Sequence, residues 1–137
     1  MGEITQIGWT DHTFNPWWGC SKDSPGCKNC YAETLAEDRF HMKIWGPAST
    51  TSRRFFGEKH WAEPLIWNKE AQQKGRVHRV FCASMADVFE EHPDLPPERE
   101  KLWHLIERTP WLEWLLLTKR PEDIPKMVPE HWNLDWP

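Results

Sequence analysis

Apolar residues fall in short runs whose period changes along the chain. ITQIGWTDHTF at 4–14 mixes β-branched and aromatic residues with polar ones in partial alternation. This predicts a first strand, broken by Asn15-Pro16. Val80-Phe81-Cys82-Ala83 and Trp114-Leu115-Leu116-Leu117 are continuous apolar runs. Short runs of this kind, bounded by polar residues, predict strands buried on both faces. Helical segments lie between them. YAETLAEDRF at 31–40 is rich in helix formers, with Ala32, Leu35, Ala36 and Arg39 on one face. Leu65 to Lys74 predicts a second helix, ended by Gly75. Pro96-Pro97 opens a third over 98–108, with Leu102, Leu105 and Ile106 on one side and Pro110 after it. A short last helix is expected over 122–128, closed by Pro129, and residues 46–60 read as a polar loop.

Strands alternating with helices predict an α/β fold: three strand–helix units of a parallel sheet, resembling half of a (β/α) barrel. The 137 residues suit one domain. A closed barrel takes ~200 residues or more, so the chain reads as a short or truncated form of one. A sheet left open keeps an edge strand, and edge strands invite pairing. Self-association or a sheet-completing partner chain is therefore expected.

Composition narrows the function classes. A net charge of −4 argues against a general nucleic-acid coat. Eleven tryptophans spread from Trp9 to Trp136 read as core area supplied by large aromatic bodies. No stretch is apolar enough to span a membrane, and MGEITQIGW is not a secretory signal, so a cytoplasmic protein is expected. Paired structural disulfides are rare there. Four cysteines, three of them within eleven residues, then read as ligands or reactive groups.

Cys20, Cys27 and Cys30 follow the first strand with spacing Cys-x6-Cys-x2-Cys. The close pair lets two thiolates reach one metal, and Pro25-Gly26 supplies the bend that returns Cys20 to it. Three ligands leave one position open. In a [4Fe-4S] cluster that position is an iron facing substrate or cofactor. In a zinc site, water or a fourth ligand such as His12 or His41 fills it. The position at a strand's carboxyl end, leading into a helix N-terminus, favours the anionic cluster. Cys82, inside a buried run, reads as a small core hydrophobe.

Further candidates sit at the other strand ends. Ser84 and Asp87 follow the second buried run, and Thr118, Lys119 and Arg120 follow the third. They read either as cofactor-binding groups or as helix caps and a solvated charge pair. Tyr31 beside Cys30 packs on a cofactor or in the core. Arg39, Lys43, Arg53, Arg54 and Lys59, with Phe55-Phe56, offer basic and aromatic groups for single-stranded nucleic acid, or simply a solvated loop. The acidic run Asp87 to Asp94 reads as a solvated helix end or, less simply, a second metal site.

FNPWWGCSKDSPGCKNCYAE, EPLIW at 63–67, VFCASMADVF at 80–89 and LLLTKRPEDIPKM resemble, in order, the sequence blocks of the three-cysteine-motif phage proteins, a family of unknown function. The likeness covers the N-terminal half of that family's usual length. Ala86 stands where the family's block more often has serine. The family is in turn similar to radical S-adenosylmethionine enzymes, whose first two cysteines are three residues apart instead of six. The resemblance implies an iron–sulfur-cluster-binding, radical S-adenosylmethionine-like protein in a host cytoplasm. The open iron would then bind the amino and carboxylate groups of S-adenosylmethionine. Ser84 or Asp87 would receive the methionine ammonium, and Lys119 or Arg120 a carboxylate or phosphate. The alternative is a zinc-stabilised, non-catalytic module of phage origin that contacts nucleic acid or a host defence protein.

Overall fold

The computed structural model describes residues 10–21, 31–36, 41, 44–46 and 51–132. In chain order the elements are β1 (His12–Thr13), β2 (Trp17–Trp18), α1 (Tyr31–Thr34), β3 (Arg54–Phe55), α2 (Glu58–Lys74), β4 (His78–Cys82), α3 (Leu95–Glu107), β5 (Leu112–Leu116), a 3-10 turn (Pro121–Asp123) and α4 (Ile124–Met127). The fold is mixed α/β, built on a three-stranded sheet in the order β1-β4-β5. Both pairings are parallel: His12 lies beside Val80, and the whole of β4 runs beside β5 from His78↔Leu112 to Cys82↔Leu116. All three carboxyl ends therefore open on one side, where connecting loops gather.

Each element has a local cause. Val80, Phe81 and Cys82 are all buried, as the unbroken apolar run requires. β1 ends at Thr13; Phe14 still donates to the Phe81 carbonyl at 2.9 Å before Asn15-Pro16 breaks the run. The rest of the expected strand, 4–9, lies outside the described residues, as do 37–40 of the first expected helix. α2 begins at Glu58, seven residues before the expected start, and carries Pro64 inside it. Proline favours a first turn. Here tertiary packing overrides that preference, because Pro64, Trp67 and Ala71 form the buried face. Gly75 ends the helix at φ 65°, and the amides of Gly75 and Arg76 cap the carbonyls of Gln72 and Ala71.

A second, antiparallel pair was not expected. β2 lies against β3, with Trp17 opposite Phe55 and Trp18 opposite Arg54. Tryptophan and phenylalanine suit a pleated surface, but two-residue strands are too short to show a period.

Phe14, Trp17, Trp67, Val80, Phe89, Leu95 and Leu102 are almost completely buried in the main core. Burying one such side chain contributes about 2 kcal/mol. Phe14 meets Trp61, Trp67 and Trp114 edge-on, with centroids 5.4–6.3 Å apart. These contacts account for part of the tryptophan content. A smaller core of Trp18, Ala32, Ala36, Ile44 and Met85 packs beside it. Among the described residues no strand pairs with the outer side of β5. Trp132 packs edge-on against Trp103 at 5.2 Å, so the tail does cover part of the core. Among the described residues no helix is long and apolar enough to cross a membrane.

His12, one of the two histidines considered for zinc, lies within this core. Its ring stacks on Trp67 at 4.4 Å, and its Nε2 meets His78 Nδ1 at 3.1 Å. His78 Nε2 is buried with no hydrogen-bond partner among the described residues. Burial first, then the charges of Arg76 and His12, hold the pKa of His78 below its usual 6.5; Asp11 opposes this and Lys74 adds to it. A depressed histidine pKa stabilises the fold above 6.5, and that contribution is lost as pH falls. Urea unfolding at pH 7.5 and 5.5 is expected to show a smaller pH-dependent loss in His78→Gln than in the unaltered chain. Equal losses would place the acid sensitivity elsewhere.

Candidate functional site

The carboxyl ends of the strands enclose a cavity of about 160 Å³. Its apolar wall includes Ala32, Trp45, Phe81 and Leu117; its polar wall includes Cys20, Ser84, Asp87, Lys119 and Arg120. One of the three cysteines and four of the five cofactor-binding candidates thus meet in one place. Cys27 and Cys30 lie outside the described residues. Tyr31 begins α1. His41 is exposed and left-handed at φ 54°. Among the described residues no group of three or more His, Cys, Asp or Glu is placed to hold a metal ion. Cys82 is fully buried in β4, with its thiol pushed up by burial, as a core residue.

Gly19 sets the approach of Cys20. Its φ is +116°, and a Cβ there would stand 2.4 Å from the Ile44 carbonyl oxygen and 2.7 Å from Arg53 Cδ. Only glycine suits both conditions. The Gly19 amide bonds to the Met85 carbonyl at 2.8 Å, and Cys20 forms a parallel bridge with Trp45. The loop is thereby stitched to the β4 end on one side and to residues 44–46 on the other.

Arg120 is the central cation. Its Nη1 donates to Cys20 Sγ at 3.3 Å and to Asp87 Oδ2 at 2.9 Å. Its Nη2 donates to the Ser21 carbonyl at 2.7 Å. Burial works against the charge, but Cys20 and Asp87 outweigh it and hold the guanidinium pKa above its normal value. The Cys20 thiol is pushed up to about 11, by burial first and then by Glu90, with Arg120 opposing. Asp87 is occupied by its own chain. Oδ1 accepts from the Phe89 amide at 3.0 Å and the Thr118 hydroxyl at 2.6 Å; Oδ2 accepts from the Lys119 amide at 3.1 Å as well as from Arg120. Asp87 thus ties the ends of β4 and β5 together; neither it nor Ser84 caps a helix, because the next one, α3, begins only at Leu95 behind Asp94. Ser84 Oγ accepts from Asn15 Nδ2 at 3.0 Å, while Asn15 Oδ1 accepts from the Met85 amide at 2.7 Å. The serine hydroxyl proton remains able to turn towards the cavity.

The acidic run does not form a solvated helix end. Asp87, Glu90 and His92 are buried; Asp94 is exposed. Glu90 takes a bidentate bond from Arg53, Nε to Oε1 at 2.8 Å and Nη2 to Oε2 at 2.7 Å, with side chains 1% and 0% exposed. Ser21 Oγ also donates to Glu90, at 2.7 Å. Arg99 bonds the Val88 carbonyl at 2.8 Å and the Glu90 carbonyl at 2.5 Å. Arg53 thereby leaves the basic loop considered for nucleic acid. Arg39 and Lys43 lie outside the described residues. Arg54 lies over Phe56 and Trp18, 5.4 and 5.9 Å from the ring centroids, and Lys59 is exposed. Sequence reasoning missed the Arg53–Glu90 pair because charges 37 positions apart carry no local signal.

Comparison with curated proteins and with solved structures finds no match. The family comparison does: the profile of DUF5131, proteins of unknown function, matches residues 4–137, nearly the whole sequence. The chain therefore belongs to the DUF5131 family.

Proposed function

We propose that Cys20, Cys27 and Cys30 hold a [4Fe-4S] cluster at this cavity and that the protein acts on S-adenosylmethionine in the manner of radical enzymes. The observation that carries the reading is Cys20 Sγ in the wall of a cavity at the carboxyl end of a parallel sheet, together with Ser84, Asp87, Lys119 and Arg120. The site's chemistry fits a sulfur-bound metal. Asp87 and Glu90 are balanced by Arg120 and Arg53, so a thiolate in this buried setting calls for an incoming cation. Arg120 would remain as a charged donor to the ligating sulfur. A bound cluster supplies the electron for reductive cleavage of S-adenosylmethionine. The residues around it orient and enclose: Ser84 offers a hydroxyl, Lys119 and Arg120 contribute positive charge, and the buried Phe81 and Ala83 limit water.

Anaerobic purification followed by iron, sulfide and zinc analysis tests the reading. The expected result is brown protein with about four iron and four sulfide per chain. Cys20→Ala, Cys27→Ala and Cys30→Ala should each abolish uptake, and Cys82→Ala should retain it. Colourless protein with stoichiometric zinc would reject the cluster and promote the zinc-stabilised binding module. Arg54 over Trp18 and Phe56 would then be its first candidate contact surface.

A further inference from the structure

We infer that the buried Arg53–Glu90 pair is a positioning element for the Cys20 sulfur, an inference that rests on the metal-centre reading. Completely buried ion pairs contribute little net stability, because desolvation offsets their attraction. A bidentate fork does fix geometry. What matters here is where the remaining bonds of the pair lead. Glu90 accepts from Ser21, the residue after Cys20, at 2.7 Å. Arg53 Nη2 donates to the Gly46 carbonyl at 3.0 Å, and the Gly46 amide donates to the Cys20 carbonyl at 3.0 Å. Arg53 Nη1 adds the Thr51 carbonyl at 2.9 Å. Cys20 is thus gripped through both neighbouring strands of chain, and Arg120 closes the arrangement from the β5 side through the Ser21 carbonyl and Cys20 Sγ.

The pair itself neither lines the cavity nor bonds to the sulfur. The charge of Glu90 opposes a thiolate there, so any weakening of metal binding in Glu90→Gln reflects lost positioning and not lost attraction. Its action is to fix the backbone on which the sulfur is carried, as outer-shell groups do at metal sites. Two variants separate this role from plain stabilisation. Glu90→Gln keeps the shape and removes the charge that Arg53 needs. Ser21→Ala leaves the ion pair whole and removes the hydroxyl that joins it to the cysteine segment, together with the longer bond, 3.3 Å, that Arg120 Nη2 donates to the same hydroxyl. The Arg120 bonds to the Ser21 carbonyl and Cys20 Sγ remain.

Cobalt(II) is the probe, because thiolate ligation gives it a charge-transfer absorption whatever metal the protein carries in the cell. Anaerobic titration of the metal-free full chain is read beside its thermal midpoint. Both variants are expected to bind cobalt about tenfold or more weakly, with an altered thiolate band. In Ser21→Ala the thermal midpoint should stay near that of the unaltered chain. If Ser21→Ala and the folded fraction of Glu90→Gln both bind cobalt as the unaltered chain does, the pair is structural only and the inference fails alone. If the unaltered chain shows no thiolate band, the metal-centre reading fails and takes this inference with it. The two failures appear in different titrations.

Discussion

Arg120→Met is expected to destabilise the protein by about 3–5 kcal/mol, the loss found when one partner of a buried pair is removed. The replacement fills similar volume but cannot donate. Asp87 would keep bonds from Phe89, Thr118 and Lys119, but its charge would lose the buried guanidinium 2.9 Å away. The Ser21 carbonyl and Cys20 Sγ would lose donors in the same step. The thermal midpoint should fall by roughly 10 °C or more. Urea unfolding measures the effect directly. A loss below about 1 kcal/mol would mean that water or a shifted side chain replaces Arg120 at little cost.

Gly19→Ala should be comparably severe, through sterics instead of charge. The backbone at φ +116° disfavours any L side chain, at about 1–3 kcal/mol. The added methyl also meets a carbonyl oxygen at 2.4 Å, which belongs to backbone and cannot swing aside as a flexible side-chain end would. Overpacking of this kind adds about 1–3 kcal/mol. The total should reach about 3 kcal/mol or more, and the crowded atoms are those of Ile44 and Arg53 beside Cys20. Gly57→Ala is the control, because a Cβ there meets nothing within 4 Å. Similar unfolding curves for the two variants would show that the Gly19 loop relaxes freely.

What the sequence disclosed follows from where its signals are local. β4 could be read because an unbroken apolar run is itself the mark of a strand covered on both faces. β5 could be read from a similar run, but it begins two residues earlier and is not covered on both faces: Leu112 is buried, Trp114 to Leu116 are half-buried and Leu117 is exposed. α3 could be read because Pro96-Pro97 falls in its first turn. The strand ends could be read as a meeting place because parallel strands point one way, and Cys20, Ser84, Asp87, Lys119 and Arg120 do meet there. The remainder depends on pairing at a distance. Arg53 resembles any loop arginine and Glu90 any surface acid until the fold buries both. Arg99 sits on α3 as an ordinary helix cation, yet its bonds run inwards to the Val88 and Glu90 carbonyls. The β2–β3 pair joins residues separated by more than thirty positions. Neither composition nor period records such matches.

The cavity wall has a consequence for the order of folding. Its residues come from positions 20, 32, 45, 84 and 120, so no contiguous stretch can form a working fragment of it. α2 and α3 can begin to form from contacts within a few turns, whereas the cavity must wait for chain closures spanning as many as 100 residues. Contacts of such separation slow folding, because the entropy of closure comes due before the contacts repay it. The last structure gained is also among the easiest to lose. Hydrogen exchange at Gly19 and Lys119, whose amides reach across loops, should report openings that leave the helices protected. Whatever occupies the cavity would bind the fully assembled chain and tighten those distant segments together.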